Sequence, residues 1–304
     1  MKIVVILFLL STMLFSCETN KSHEDSTDLI AYRAEIEAWH QKRIIDLKSE
    51  DGWLNLAGLF WLKEGINSFG SDEANDLVFP KDKIAAKAGF FIVNNGTVQL
   101  NALSGVEILD GGNPVKEKII FHPDSTKNGL LSHGSLQWFI IKRDDQVGVR
   151  LRDLGSKSIE EFAGIERYEA NPEWKVLAKL EIPESKKRIS ITNVLGQTTV
   201  QVSPGTLVFN LNGKEYLLDA LEGGKEELFI IFGDRTNEKE TYPAGRYLYI
   251  KTPDENGMTE IDFNKAYNPP CAFTPFATCP LPPAQNVLAI PILAGEKNFH
   301  MNTN

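Results

Sequence analysis

Recognisable catalytic signatures are missing from this 304-residue chain. It has no G-x-S-x-G turn for a nucleophilic serine, no G-x-x-x-x-G-K loop to cradle phosphates and no G-x-G-x-x-G dinucleotide fingerprint. Histidine is scarce, with five residues, and none pairs at H-x-H or H-E-x-x-H spacing. His122, Asp124 and His133 form the one arrangement that could meet across a loop on a metal. A solvated loop histidine is the simpler reading, and no metal or other cofactor is expected. Basic residues are outnumbered, 32 against 41 acidic ones, giving a formal charge of −9. Without a Lys/Arg stripe, an acidic chain is a poor partner for nucleic acid. With 41 carboxylates, no single acid pair is informative about glycosidase or protease chemistry. Long apolar runs are absent after the first residues, so the body is not expected to span a bilayer as helices.

The start of the chain is different. Lys2 precedes an apolar stretch from Ile3 to Leu10, interrupted by Ser11, Thr12 and Ser16. A basic start, a short apolar core and a small residue before a cut form the pattern of a secretory leader, here residues 1–16. Leu14-Phe15-Ser16-Cys17 resembles a lipobox. That resemblance implies acylation of Cys17, which would anchor the mature chain to a bacterial membrane facing the periplasm or the cell surface. The alternative is an ordinary leader followed by an incidental cysteine. Residues 17–28 carry no large apolar side chain and read as a flexible tether. Removing the leader leaves 288 residues and, with Lys2 gone, a charge of −10.

The fold class reads as mainly β. Tyr32, Ile36, Trp39, Arg43 and Leu47 recur at helical spacing, predicting a helix from residue 28 to about 48, packed on the sheet that follows. From Trp53 the pattern becomes short β-rich runs and turns, with Asn95-Gly96 a hairpin signal. Residues 29–155 therefore read as a helix plus an antiparallel β-sandwich. Residues 64–112 loosely resemble a forkhead-associated domain. The phosphothreonine-reading arginine of that family would follow Gly70, but Ser71 stands there, so phosphopeptide binding is not implied. Residues 156–304 read as a second antiparallel meander or partly closed barrel, with a hairpin at Asn212-Gly213.

Residues 262 to 284 hold six of the 15 prolines and two of the three cysteines. Proline fixes φ and removes donors, so the stretch reads as a rigid loop. Tyr267, Phe273 and Phe276 would pack it. Cys271 and Cys279 admit three readings: a disulfide, two packed thiols or a reactive pair. Closure of so short a loop would contribute about 2.5 kcal/mol on the chain-entropy model. The run IDFNKAYNPPCAFTPFATCPLPPAQN with PILAGEK, preceded by FGDRTNEKETYPAGRYLYI, resembles the family catalogued as domain of unknown function 1684. LQWFIIKRDDQVGVRLRD and NVLGQ extend the resemblance over residues 36 to 299. No activity comes with it. It implies that the two C-terminal motifs are the family's hallmark and adjoin in space.

Those motifs supply the candidate ligand-binding residues Asp234, Glu240, Tyr242, Arg246, Asp262, Asn264, Tyr267 and Asn268. Arg246 with Asp234 or Asp262 reads either as a ligand pair or as a structural ion pair. Three functions fit: an anchored protein binding a small polar ligand, a hydrolase using Asp234, Glu240 or Asp262, and an envelope interaction protein. The anchor is testable first. Expressed with its leader, the wild-type chain should enter the detergent phase and Cys17→Ser should not; equal partitioning would remove the anchor.

Overall fold

The computed structural model describes residues 19–125, 129–143 and 145–299. The leader and Cys17 lie outside the described residues. Two β units follow an N-terminal helix. The first is a sandwich. One sheet orders its strands Leu56–Trp61, Gln146–Asp153, Leu136–Arg143, Leu131–His133, Ile108–Asp110 and Asn113–Val115. The facing sheet runs Leu77–Val78, Gly65–Gly70, Gly89–Asn94, Thr97–Ala102 and Glu117–Phe121. Pairing is antiparallel except between Gly65–Gly70 and Leu77–Val78. Alternation explains the packing: Leu136, Trp138 and Ile140 of one strand and Val147, Val149 and Leu151 of its neighbour are all buried in one core. Phe69, Phe79 and Phe91 fill it against Trp138, with Phe69 stacked on Phe91 at 4.6 Å.

The second unit is one six-stranded antiparallel sheet: Arg246–Lys251, Glu227–Phe232, Lys214–Gly224, Gly205–Leu211, Lys175–Glu181 and Met258–Asp262. Its two edge strands follow each other in the chain. Thr259 Oγ1 donates to Lys251 O at 2.8 Å, so the sheet curls nearly into a barrel. A separate hairpin, Lys187–Thr192 with Thr198–Ser203, lies outside this sheet. Both asparagine–glycine turns form as their sequences dictate. Asn95 and Gly96 have φ of 47° and 76°, and Asn212 and Gly213 have 54° and 76°. Positive φ at both central residues is the hairpin geometry that this dipeptide favours.

The helix spans Thr19–Lys48, so it starts well before residue 28. Residues 19–28 are helical in place of the expected tether. They contain neither glycine nor proline, and the docked turns that follow remove the cost of nucleation. Ile36 and Leu47 are fully buried, as their spacing predicts. The helix does not pack chiefly on the sheet that follows it in sequence. Its contacts reach the distant C-terminal segment: Tyr32 Oη donates to Asp262 Oδ1 at 2.9 Å, and Arg43 Nη2 donates to Asn268 O at 3.0 Å. No helix among the described residues is long and apolar enough to cross a membrane.

Docking also buries His40, whose Nδ1 has no partner. Burial, then the neighbouring Arg167 guanidinium, hold its pKa below the usual histidine range. The unfolded chain therefore binds the proton more readily. Stability is full above the ordinary histidine pKa and falls as pH drops below it. Urea unfolding followed from pH 8 to pH 5 should show this decline, and His40→Gln should flatten it.

Candidate functional site

The C-terminal motifs adjoin in space. Tyr247 and Tyr267 exchange two backbone hydrogen bonds of 2.9 Å. Gly245 makes the approach possible, because a Cβ there would overlap Pro282 and the Phe232 carbonyl. Cys271 and Cys279 are joined as a disulfide, with their Cα atoms 6.1 Å apart.

Most of the residues that the sequence singles out are committed to the fabric of the fold. Arg246 and Asp234 form a fully buried ion pair at 2.8 Å. Arg246 also donates to the carbonyls of Ile292 and Ala294, while Asp234 Oδ1 accepts from Thr236 and from the Ile292 amide. Together they fasten the C-terminal segment across the sheet. Asp262 and Asn264 hold Tyr32 of the helix, and Asn264 also donates to Asn171 O at 2.9 Å. Asn268 receives Arg43 on its carbonyl and donates its amide to Glu296 Oε2 at 2.7 Å. Asp262 Oδ2 and Asn268 Oδ1 are buried without a protein donor. Exposed Glu240 accepts from Tyr168 Oη at 2.9 Å. Tyr242 packs beside Leu54, Phe162 and Phe273. Asp234, Glu240 and Asp262 thus have separate partners. His122 sits near Asp124, whereas His133 bonds to Glu107 O, and no metal-ligand cluster occurs among the described residues.

Of these eight residues, only Tyr267 lines a pocket of about 420 Å³ at the junction of the helix, the sandwich and the near-barrel. The C-terminal unit supplies an aromatic wall of Phe229, Tyr247, Tyr249 and Tyr267. Phe229 stacks on Tyr249 at 4.8 Å and meets Tyr247 edge-on at 5.1 Å. The disulfide loop supplies Pro270, Ala277, Thr278, Cys279 and Pro280. Tyr247 Oη donates to Pro280 O at 2.7 Å, pinning this loop to the wall. Burial raises the pKa of Tyr247, Tyr249 and Tyr267, so all three remain neutral phenols.

The pocket is also lined by Arg43, Arg143 and Arg150, and by no carboxylate among the described residues. Arg43 is already engaged by Asn268 O and Glu296, and its guanidinium lies 4.6 Å over the Tyr267 ring. Arg143 is exposed at the rim. Arg150 is the unusual member. It is only 7% exposed, and its Nε and Nη2 have no hydrogen-bond partner. Burial, then repulsion from Arg143 and Arg152, push its pKa down to about 10. It nevertheless remains a cation at neutral pH, buried without a counter-charge among the described residues.

Arg152, two residues along the same strand face, shows what satisfaction looks like. Its Nη1 donates to Gly52 O, Asn55 Oδ1 and Glu50 O at 2.5, 2.7 and 3.3 Å. It thereby braces the turn that presents Trp53 to the pocket. In the sequence, Val147, Val149 and Leu151 alternate with Gly148, Arg150 and Arg152. That alternation was the available signal for two arginines on the outward face.

Residues 160–297 match the model of a family described as a protein of unknown function, DUF1684. No curated protein matches the chain. Among solved structures, one similar to the chain is the solution NMR structure of an uncharacterized protein from gene locus rrnAC0354 of Haloarcula marismortui. It is 28% identical, covering 46% of this chain and 80% of that one, with a TM-score of 0.39. Another comes from work on phosphothreonine-dependent FHA domain interactions. It is 13% identical over 31% of this chain and 92% of that one, with a TM-score of 0.22.

The buried pair sets a stability prediction. Arg246→Leu leaves Asp234 unpaired and should cost about 3–5 kcal/mol in denaturant unfolding. Glu240→Gln, at the exposed position, should stay within about 0.5 kcal/mol of wild type.

Proposed function

We propose that this chain is a binding protein for a small anion-bearing ligand, held where the sandwich, the helix and the near-barrel meet. The observation that carries the reading is Arg150, a buried guanidinium without a hydrogen-bond partner at Nε or Nη2, lining a pocket that has no carboxylate among the described residues. Buried charges are ordinarily paired, because desolvation is costly. A ligand carboxylate or phosphate would complete the pair. The aromatic wall supports a ligand with an apolar part. The carboxylates that a hydrolase would use, Asp234, Glu240 and Asp262, do not line this pocket. The lipobox-like leader supports a setting outside the cytoplasm, with the body attached to a membrane through acylated Cys17 and the pocket open to small solutes there.

Binding and stability should separate at Arg150. Arg150→Met should leave the ligand-free protein unchanged or more stable by about 1–2 kcal/mol, while abolishing calorimetric binding of acetate and inorganic phosphate. Arg152→Met should instead destabilise, because three carbonyl oxygens lose their donor. A destabilised Arg150→Met that still binds these anions would refute the reading.

A further inference from the structure

The pocket also specifies the shape of its ligand, an argument that rests on the anion-binding reading. Arg150 lines the pocket and makes no hydrogen bond at Nε or Nη2, so its guanidinium is left to receive one oxyanion head. A second buried anionic group has no such receptor, since Arg43 is occupied by Asn268 O and Glu296.

The same pocket has an aromatic wall. The Tyr249 and Tyr267 rings lie within 11° of parallel, 6.3 Å apart between centroids, and Phe229 stacks on Tyr249. Tyr249 lines the cavity and is 42% exposed, so part of its ring is accessible there. Such faces prefer offset-stacked or edge-on aromatic partners. At about 420 Å³ the cavity sits at the small end of the range for small-molecule sites, about 300–1,000 Å³. We infer that the pocket takes a compact aromatic anion, with one carboxylate or phosphate head at Arg150 and a flat ring against Tyr249.

Titration calorimetry on the full chain in mild detergent tests this with five probes: benzoate, phenyl phosphate, cyclohexanecarboxylate, acetate and inorganic phosphate. Benzoate should bind about tenfold tighter than cyclohexanecarboxylate, or phenyl phosphate about tenfold tighter than inorganic phosphate. Whichever pair shows the preference identifies the head group. Tyr249→Leu, at a half-exposed position that the core does not need, should erase the aromatic preference while keeping acetate or phosphate binding. Arg150→Met, which removes the cation, should abolish binding of the aromatic anion as well. Equal affinity for ring and non-ring anions, with Arg150 still required, would overturn the aromatic assignment and leave the anion site standing. Failure of all five probes at millimolar concentration would overturn both.

Discussion

The fastening of the N-terminal helix to the C-terminal motif is the constraint on which the pocket depends. Tyr32 reaches Asp262 and Asn264, and Arg43 reaches Asn268 and buried Glu296, across more than 220 residues of sequence. Removal of Glu296 from water raises its pKa, and Arg43 beside it works in the opposite direction. The pair therefore needs the helix in place to be tolerable, and the helix needs the pair to hold its register. Once docked, the helix brings Arg43 over Tyr267 and fixes the start of the turn that Arg152 braces at Trp53. Two units with separate cores and the helix thus meet around one cavity.

This arrangement gives the polar residues of the C-terminal motifs a role different from direct contact. Asp262, Asn264 and Asn268 hold the helix, and Arg246 with Asp234 holds the terminal segment. The proline-rich loop, closed by its disulfide and tied down by Tyr247, becomes one wall. Rigidity matters for a site whose proposed recognition group is a buried guanidinium, because a mobile wall would surrender the gain from a pre-ordered pocket.

Period-two alternation made strands such as Leu136–Arg143 and Gln146–Asp153 legible, and Asn95-Gly96 marked its hairpin. Asn113–Val115 was hidden because Pro114 argues against a strand; it sits at the sheet edge, where a missing donor is tolerated. Met258–Asp262 was obscured by the proline-rich run that follows it. The helix was legible by its periodicity, but its partner was not, since spacing says which face is buried and nothing about what buries it. The disulfide was one of three open readings of Cys271 and Cys279. Tyr267 was among the expected site residues, while Arg150 was not. An arginine on the outward face of a strand reads as solvated, and only the packing of a second unit against that face turns it into a buried charge.

That burial is why Arg150 outweighs the more conspicuous acids of the motifs. Every charge in the Arg246–Asp234 and Arg43–Glu296 pairs has a partner within the chain, so the fold alone accounts for it. Arg152 is likewise explained by the carbonyls it meets. Arg150 costs desolvation energy and gains no hydrogen bond at Nε or Nη2, so the fold alone gives no reason for it. An apolar residue of similar length would fill the space more cheaply. A position where the physics of folding argues against the residue present is where the physics of binding has to supply the reason.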